Sequence, residues 1–581
     1  MKGHTFRCWI CLILTLITAP KAQAQIAYWQ KLLGGSDYDT GKKVLYLPDG
    51  TMAIGMQTRS QDGLGKGNHS EDVDVVIFKY ATQEKVFWKT TIGGSGRDEL
   101  ANLIMTSDGG FICVGSTDSR DGDFEGNHGG NDLWVAKISP GGKLRWVTTL
   151  GGRGQDYGWC AFQDRDGSIY VGGESSSIDG DMRSPHHGSL DAWLAKLDAN
   201  GDLLMEKHFG GPGNDRLASI QPHGKGLWLI CTNDAAGGDV NINYGKKDLW
   251  LLNIDSNWGI VHQQAVGGQD NDDTHGSLID AEGNLILAGT TFSNNGFISD
   301  QHGNGDGWLV KFDPAGRYLW SHAYGGTRNE GFTALTATHD GGYAMVGMTL
   351  SINGNLSSNE GYYDGWFLKT NKDGQILWSR NIGYKAKDAL NDIVEIPSGG
   401  FLALGNVQEK LKEDIQIPGH HGIYDVWLVN FGDPGRGLDV RAYRTPSIMI
   451  GTVIDANTDL PLESAITLTD NRTLDSLTAT QSDAGDGSFV LLLPSYGLVS
   501  INVLAQGYLF YGQDILTDSL SKKTSVERLV KLQPITVGSS LVLENIYFET
   551  AKWEVLKESY AELNRLVAFL ELNPRVKIEI S

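Results

Sequence analysis

A stretch of about 58 residues recurs seven times between Trp29 and Gly432, and this repetition constrains the fold more than any local feature. The second copy shows it most plainly, from Trp88 to Arg145: WKTTIGGSGRDELANLIMTSDGGFICVGSTDSRDGDFEGNHGGNDLWVAKISPGGKLR. A Gly-Gly step returns at Gly34, Gly93, Gly151, Gly210, Gly267 and Gly325, and the seventh copy keeps one glycine, Gly383. The spacings are 59, 58, 59, 57, 58 and 58 residues. An Asp-x-Trp marker repeats in phase at Asp132/Trp134, Asp191/Trp193, Asp248/Trp250, Asp306/Trp308, Asp364/Trp366 and Asp425/Trp427. Asp74-Val75-Val76 is its first, Trp-less copy.

Within one copy, short apolar runs alternate with turn residues. In the second, Ala101–Met105, Phe111–Gly115, Leu133–Ile138 and Leu144–Leu150 read as strands, separated by Ser-Asp-Gly-Gly, a long Asp/Gly/Asn loop and Pro-Gly-Gly. Four short antiparallel strands per repeat, without helical periodicity, predict a mainly β chain folded as a seven-bladed β-propeller over residues 25–432. The phase of the repeat predicts its closure. The chain opens with a strand that precedes a Gly-Gly step (Ile26–Leu33) and the last copy stops after its Asp-x-Trp strand, so the first strand completes the last sheet and leaves no open seam.

Ahead of the repeats, Lys2 and Arg7 precede an apolar run from Cys8 to Ala19, followed by Ala22-Gln23-Ala24. A run this short does not span a bilayer, and the pattern predicts a secretory signal peptide over residues 1–24. No later stretch is apolar over 18 residues, and the expected strands are shorter than those of membrane barrels, so no transmembrane segment is expected. The formal charge of −22, about −25 without the signal, argues against a nucleic-acid partner. Three cysteines remain beyond the signal, Cys113, Cys160 and Cys231, all in apolar strand-like contexts that predict buried, unpaired thiols.

Three recurring residue types invite a functional reading. An acid stands five residues after each Gly-Gly step: Asp39, Asp98, Asp156, Asp215, Asp272, Glu330 and Asp388. Beside a glycine turn a carboxylate accepts backbone N–H bonds, so a turn clamp is preferred over a ring of metal sites. The repeated tryptophans are assigned to packing between blades rather than to a sugar-stacking platform. The long loop carries His69, His128, His187, His302 and His421. These form a candidate polar rim, able in principle to meet Ca²⁺, glycan or a partner protein, with loop capping preferred over ligation. No catalytic, cofactor-binding or metal residue is assigned. Catalysis requires unlike groups converging at one place, and the most divergent copies are the fourth, with Asn241–Lys247 in place of the His loop, and the seventh, with an insertion around Glu409–Pro418.

The period stops at Gly432. Residues 433–446 read as a linker, and residues 447–535 as a small β-sandwich of short alternating strands. In residues 541–581, LVLENIYFE predicts a strand, Ser559-x-x-Glu562 a capping box, and Tyr560, Leu563, Leu566, Val567 and Leu570 the apolar face of a helix ended by Asn573-Pro574. Val576–Ile580 is a second expected strand.

The Gly-Gly, Asp-Gly-Gly and Asp-x-Trp repeats resemble propeller repeats of exported Bacteroidetes proteins, over about 400 residues. Gly451-Thr452-Val453, Asp459-Leu460-Pro461-Leu462, Gly487-Ser488-Phe489 and Ala505-Gln506-Gly507-Tyr508 resemble the carboxypeptidase regulatory-like domain, a module without an active site of its own. Ile546-Tyr547-Phe548, Leu563, Leu566 and Asn573-Pro574 resemble the first half of an OmpA-like peptidoglycan-binding domain. The peptidoglycan-binding step of that family would begin beyond Ser581, so no such residue is carried over. The resemblance implies a non-catalytic protein of the cell envelope at the periplasmic face of the outer membrane. Its propeller would serve as a disc for glycans or envelope proteins, and peptidoglycan would be a partner if the chain continues past Ser581. A propeller enzyme acting on polysaccharide and a calcium-stabilised adhesion module are the alternatives.

Overall fold

The computed structural model describes residues 27–432 apart from 82–84, 357–358, 360, 398–399 and 409–419; residues 447–538 apart from 471–475, 494–497 and 518–524; and residues 559–578. The expected signal peptide, the linker, the insertion of the seventh copy and the strand at 541–549 lie outside the described residues.

Strands β1 (Ala27–Leu33) to β28 (Tyr424–Phe431), numbered in chain order, build seven four-stranded antiparallel sheets. Six are meanders in chain order, blades I to VI. Blade VII runs β26 (Asp388–Glu395), β27 (Phe401–Gln408), β28 and then β1. β1 pairs antiparallel with β28 from Ala27 opposite Phe431 to Leu33 opposite Val426, so the two ends of the repeat region share one sheet. The innermost strands are β2 (Asp39–Tyr46), β6 (Asp98–Met105), β10 (Asp156–Gln163), β14 (Arg216–His223), β18 (Asp272–Ile279), β22 (Glu330–Ala337) and β26. Each contacts the next and β26 contacts β2, which closes the sheets into the ring of a β-propeller. The strands are seven or eight residues long, and each inner strand except β14 begins on its acid, earlier than the apolar run alone indicates.

The third strand of each blade is apolar on both sides because each sheet is covered by the sheets before and after it. Trp134, Trp193, Trp250, Trp308, Trp366 and Trp427 are buried there. The apolar clusters pair neighbouring blades: one joins Cys160 and Tyr170 of blade III to Leu217 and Trp250 of blade IV, another Phe78 and Tyr80 of blade I to Leu404 and Leu428 of blade VII. Several indole N–H groups reach side chains on the outer strand, as Trp193 does to Glu206 (3.0 Å) and Trp427 to Gln30 (2.9 Å). The tryptophans of the outer strand itself reach carbonyls of the next blade, Trp88 to Pro140 (3.1 Å) and Trp146 to Ala199 (3.2 Å). Alternating strand direction puts all Gly-Gly steps and long loops on one face of the disc and the tight Asp-Gly turns on the other.

After the ring, β29 (Ser447–Asp455), β32 (Ser488–Leu493) and β35 (Ser525–Leu532) form a three-stranded sheet in which β29 and β35 run parallel. β31 (Ser476–Gln481), β30 (Ala465–Asp470), β33 (Leu498–Leu504) and β34 (Tyr511–Leu516) form a four-stranded sheet. Both contribute to one core around Val453, Leu468, Phe489, Ile501 and Val530.

Helix α1 (Tyr560–Leu572) departs from expectation in three ways. Ser559 occupies the N-cap with helical angles (φ −84°, ψ −12°) and makes no side-chain cap bond, so the capping box does not form; an N-cap acceptor needs extended backbone to reach back to the first turn. The buried face is rotated from the one read from the sequence, of which Leu563, Leu566 and Leu570 are half-buried. Tyr560 and Val567 are 45% and 53% exposed, whereas Arg565 and Phe569 are buried, Phe569 against Phe510 and Arg565 on Asp514 (3.0 Å). The packing partner therefore decides the face: the β33–β34 sheet offers an aromatic and a carboxylate, and the helix turns its arginine and phenylalanine to meet them. Finally, Val576–Ile578 form no strand. A strand is defined by ladder bonds to a neighbour, and no described strand lies beside them.

Candidate ligand site in the central channel

The invariant residues of the repeat are engaged in holding the scaffold. Asp98 accepts from Gly94 N–H (2.7 Å), Thr117 Oγ1 (2.5 Å) and Ser119 Oγ (3.0 Å). Asp156 and Asp272 repeat the pattern with Gly152, Ser175 and Ser177, and with Gly268, Thr291 and Ser293. In blade VI the longer Glu330 reaches Gly326 N–H at 2.7 Å and Thr349 at 3.1 Å. Each carboxylate thus pins the chain entering the inner strand to the top of the second strand.

The rim histidines lie one layer out. The backbone N–H groups of His69, His128, His187, His302 and His421 donate to Asp74, Asp132, Asp191, Asp306 and Asp425 at 2.6–2.7 Å. In the first four the ring Nδ1 lies 2.9–3.2 Å from the same carboxylate; His421 Nδ1 lies 3.6 Å away. They are spread over five blades, one per loop, rather than gathered. Among the described residues no group of three or more His, Cys, Asp or Glu side chains is placed to hold a metal ion. Cys113, Cys160 and Cys231 are buried free thiols.

Burial pushes the carboxyls of Asp98 and Asp215 up to about 7, and those of Asp248 and Asp388 up to about 6. The sign follows from linkage. A carboxyl raised above its ordinary 3.8 adds stability that is full below that value and lost as pH rises through the folded value. Burial lowers His208 to about 4, which works in the opposite sense, stability being lost as pH falls from 6.5 towards 4. Burial lowers His223 and His275 in the same sense as His208, and the four raised acids are expected to outweigh these three imidazoles. The melting temperature is therefore expected to be higher at pH 5 than at pH 8, with Asp98→Asn flattening the slope; a thermal melt series in constant-ionic-strength buffers checks this.

The axis of the ring is where the repeats stop being alike. Every inner strand carries a β-bulge three residues after its acid, between Gly41 and Lys43, Leu100 and Asn102, Gly158 and Cys160, Leu217 and Ser219, Thr274 and Gly276, Phe332 and Ala334, and Leu390 and Asp392. A bulge sets two residues opposite one and leaves the extra residue out of the ladder. The extra residues are Lys42, Ala101, Trp159, Ala218, His275, Thr333 and Asn391, and all seven line one central cavity of about 600 Å³. The bulge also swings the preceding carbonyl onto the second strand. A Cβ on Gly115 or Gly173 would lie 1.7 Å from the carbonyl oxygen of Glu99 or Tyr157, so glycine is required there.

Two of the seven extra side chains tie blades together. Thr333 Oγ1 donates to Leu390 O (2.7 Å), and Asn391 Nδ2 to Gly41 O (2.8 Å). Two are alanines. Lys42, Trp159 and His275, in alternate blades I, III and V, face the cavity, and Trp159 is 40% exposed there. At the mouth on the long-loop side a charged cluster surrounds them. Arg216 stacks over the Trp159 ring (5.2 Å), donates to Thr274 O (3.1 Å) and pairs with Asp273; Lys247 lies 3.4 Å from Asp273. Burial pushes Glu174 up, with Arg216 and Trp159 opposing it. Burial would raise Asp273 too, but Arg216, His275 and Lys247 outweigh it and hold its carboxyl below the usual range. Burial lowers both His275 and Lys42. Cations, hydrogen-bonding carboxylates and one open indole face thus converge on a single space. Its volume falls within the ~300–1,000 Å³ usual for small-molecule sites.

The sequence reading placed its candidate rim on the loops and missed this channel. Two signals were available: a glycine inside the second strand at Gly115, Gly173, Gly289, Gly347 and Gly405, which marks a bulge, and a neighbouring position where seven otherwise similar copies carry unlike residues. The divergent fourth copy does reach the mouth, through Lys247.

No protein-family model matches the chain. A stretch of 423 residues is 24% identical to the regulatory protein FlaEY of Caulobacter vibrioides, covering 66% of this chain and 43% of that protein, so the chain spans less than half the length of this curated relative. Among solved structures it is similar to BamB from Moraxella catarrhalis (13% identity, TM-score 0.31, 69% of this chain and 100% of that one). It is similar also to a fungal alcohol oxidase solved with copper (12% identity, TM-score 0.38, 84% and 98%).

Proposed function

We propose that this is a non-catalytic protein of the cell envelope whose seven-bladed propeller is a binding disc with its ligand site at the central channel. One observation carries the reading: the residues common to the blades are engaged in the scaffold, and the residues that differ between blades line the 600 Å³ cavity. The regulatory-like sandwich and the OmpA-like segment would place the disc at the periplasmic face of the outer membrane, with peptidoglycan as a partner where the chain continues past Ser581. Glycans and envelope proteins are the ligand classes of the disc. Among the described residues no helix is long and apolar enough to cross a membrane.

The second reading, an enzyme acting on polysaccharide, draws on the same convergence of Glu99, Glu174, Asp273 and His275 at one mouth. Incubating the full chain with a panel of oligosaccharides, with reducing ends and retention both measured, separates the two. Retention without new reducing ends is the expected result; new reducing ends that vanish in Glu174→Gln would replace the disc by an enzyme.

A further inference from the structure

We propose that the channel mouth selects a saccharide bearing a carboxylate, a uronic-acid residue, stacked on Trp159 with its charge towards Lys42 and Arg216. This rests on the reading of the propeller as a binding disc and names what the disc holds.

Trp159 lies outside the repeat phase: it sits at the bulge of β10, where no other blade has an aromatic residue. Its 40% exposure is open to the cavity, an apolar face of the kind that packs against the C–H side of a pyranose ring. The alanines at the equivalent positions of blades II and IV, Ala101 and Ala218, leave room on either side of it.

The charges then choose among sugars. Lys42 and His275 line the same cavity, and among the described residues neither makes a hydrogen bond or a close ion pair. The Lys42 ammonium facing a confined space without a close partner is costly, and an anion entering that space relieves the cost, while the His275 ring can donate a hydrogen bond from an N–H. Each sugar residue the site takes carries a single charge on a polyhydroxylated ring, because Glu99 and Asp392 line the cavity and Glu174 and Asp273 stand beside Trp159 and Arg216 at its edge. They would repel a phosphate dianion, yet they accept hydrogen bonds from sugar hydroxyls. Arg216, stacked on the indole and already bonded to Asp273, extends the positive strip beside the ring face.

The test is calorimetric titration of the full chain with trigalacturonate and with maltotriose as the neutral control. Trigalacturonate is expected to bind at least tenfold more tightly. Trp159→Ala should weaken that binding at least tenfold, and Lys42→Met about fivefold with no effect on the neutral sugar. Because Trp159→Ala also removes packing under Arg216, Ala101→Trp serves as the second variant: it fills the cavity without deleting a contact and should abolish binding with the melting temperature unchanged. Equal affinity for the two trisaccharides overturns the carboxylate assignment and leaves the disc standing. Binding of neither, or unchanged binding in Ala101→Trp, overturns the site. Selective binding followed by cleavage supports the site and overturns the non-catalytic reading.

Discussion

Deleting residues 27–33 is expected to lower the melting temperature by about 10 °C or more and to make the protein aggregate, the largest effect anticipated for any change to this chain. β1 supplies the outer strand of blade VII, and its removal strips β28 of a whole ladder of backbone bonds. It also takes away Trp29, Leu32 and Leu33 from two apolar clusters. Gln30 is lost with it. That side chain accepts from Trp427 Nε1 (2.9 Å) and donates to Tyr384 OH (2.8 Å), so a buried indole N–H would be left facing nothing. The unpaired edge of β28 then becomes a template for another chain. A synthetic peptide covering residues 25–35, added in excess, should restore most of the lost melting temperature by filling the vacant edge. A truncated protein that melts like the full one would show that the ring holds through its inner strands alone.

The second large effect is expected from Asp98→Ala. The carboxylate is fully buried and accepts three hydrogen bonds, from the Gly94 amide, Thr117 and Ser119. Alanine leaves the amide without an acceptor and forces both hydroxyls to seek others, at a cost of about 3 kcal/mol. In a ring of this size that corresponds to about 5 °C in melting temperature. Asp98→Glu should lose much less, because blade VI performs the same task with Glu330 and reaches its glycine amide at the same 2.7 Å. Denaturant melts of the two variants check the order. Equal losses would mean that side-chain volume, rather than hydrogen bonding, dominates at this position.

The scaffold was largely legible in the sequence. Glycine and acid in every blade, histidine in five and Asp-x-Trp in six do what local chemistry says they do, and repetition multiplied a weak signal. The pairing of β1 with β28 followed from the phase of the repeat alone, because a closed ring leaves the first strand one place to go. The channel was harder to read. Its position depends on a bulge that shifts facing by one residue, so strict alternation along DYGWCAFQ puts Trp159 on the wrong side. The helix was misread for a different reason. Amphipathicity says which residues avoid water, but Arg565 and Phe569 were selected by Asp514 and Phe510, partners far away in sequence.

The bulge has a consequence for how such a protein diversifies. A residue held out of the ladder carries little of the fold, so it can be exchanged at small cost to stability, while the acid three positions earlier cannot. Apart from Thr333 and Asn391, which tie neighbouring blades together, the ring therefore offers five replaceable letters around one axis that its frame hardly restricts. Lys, Ala, Trp, Ala, His, Thr and Asn is the word this chain spells, and a related ring could acquire a new ligand by respelling it, with its blades left as they are.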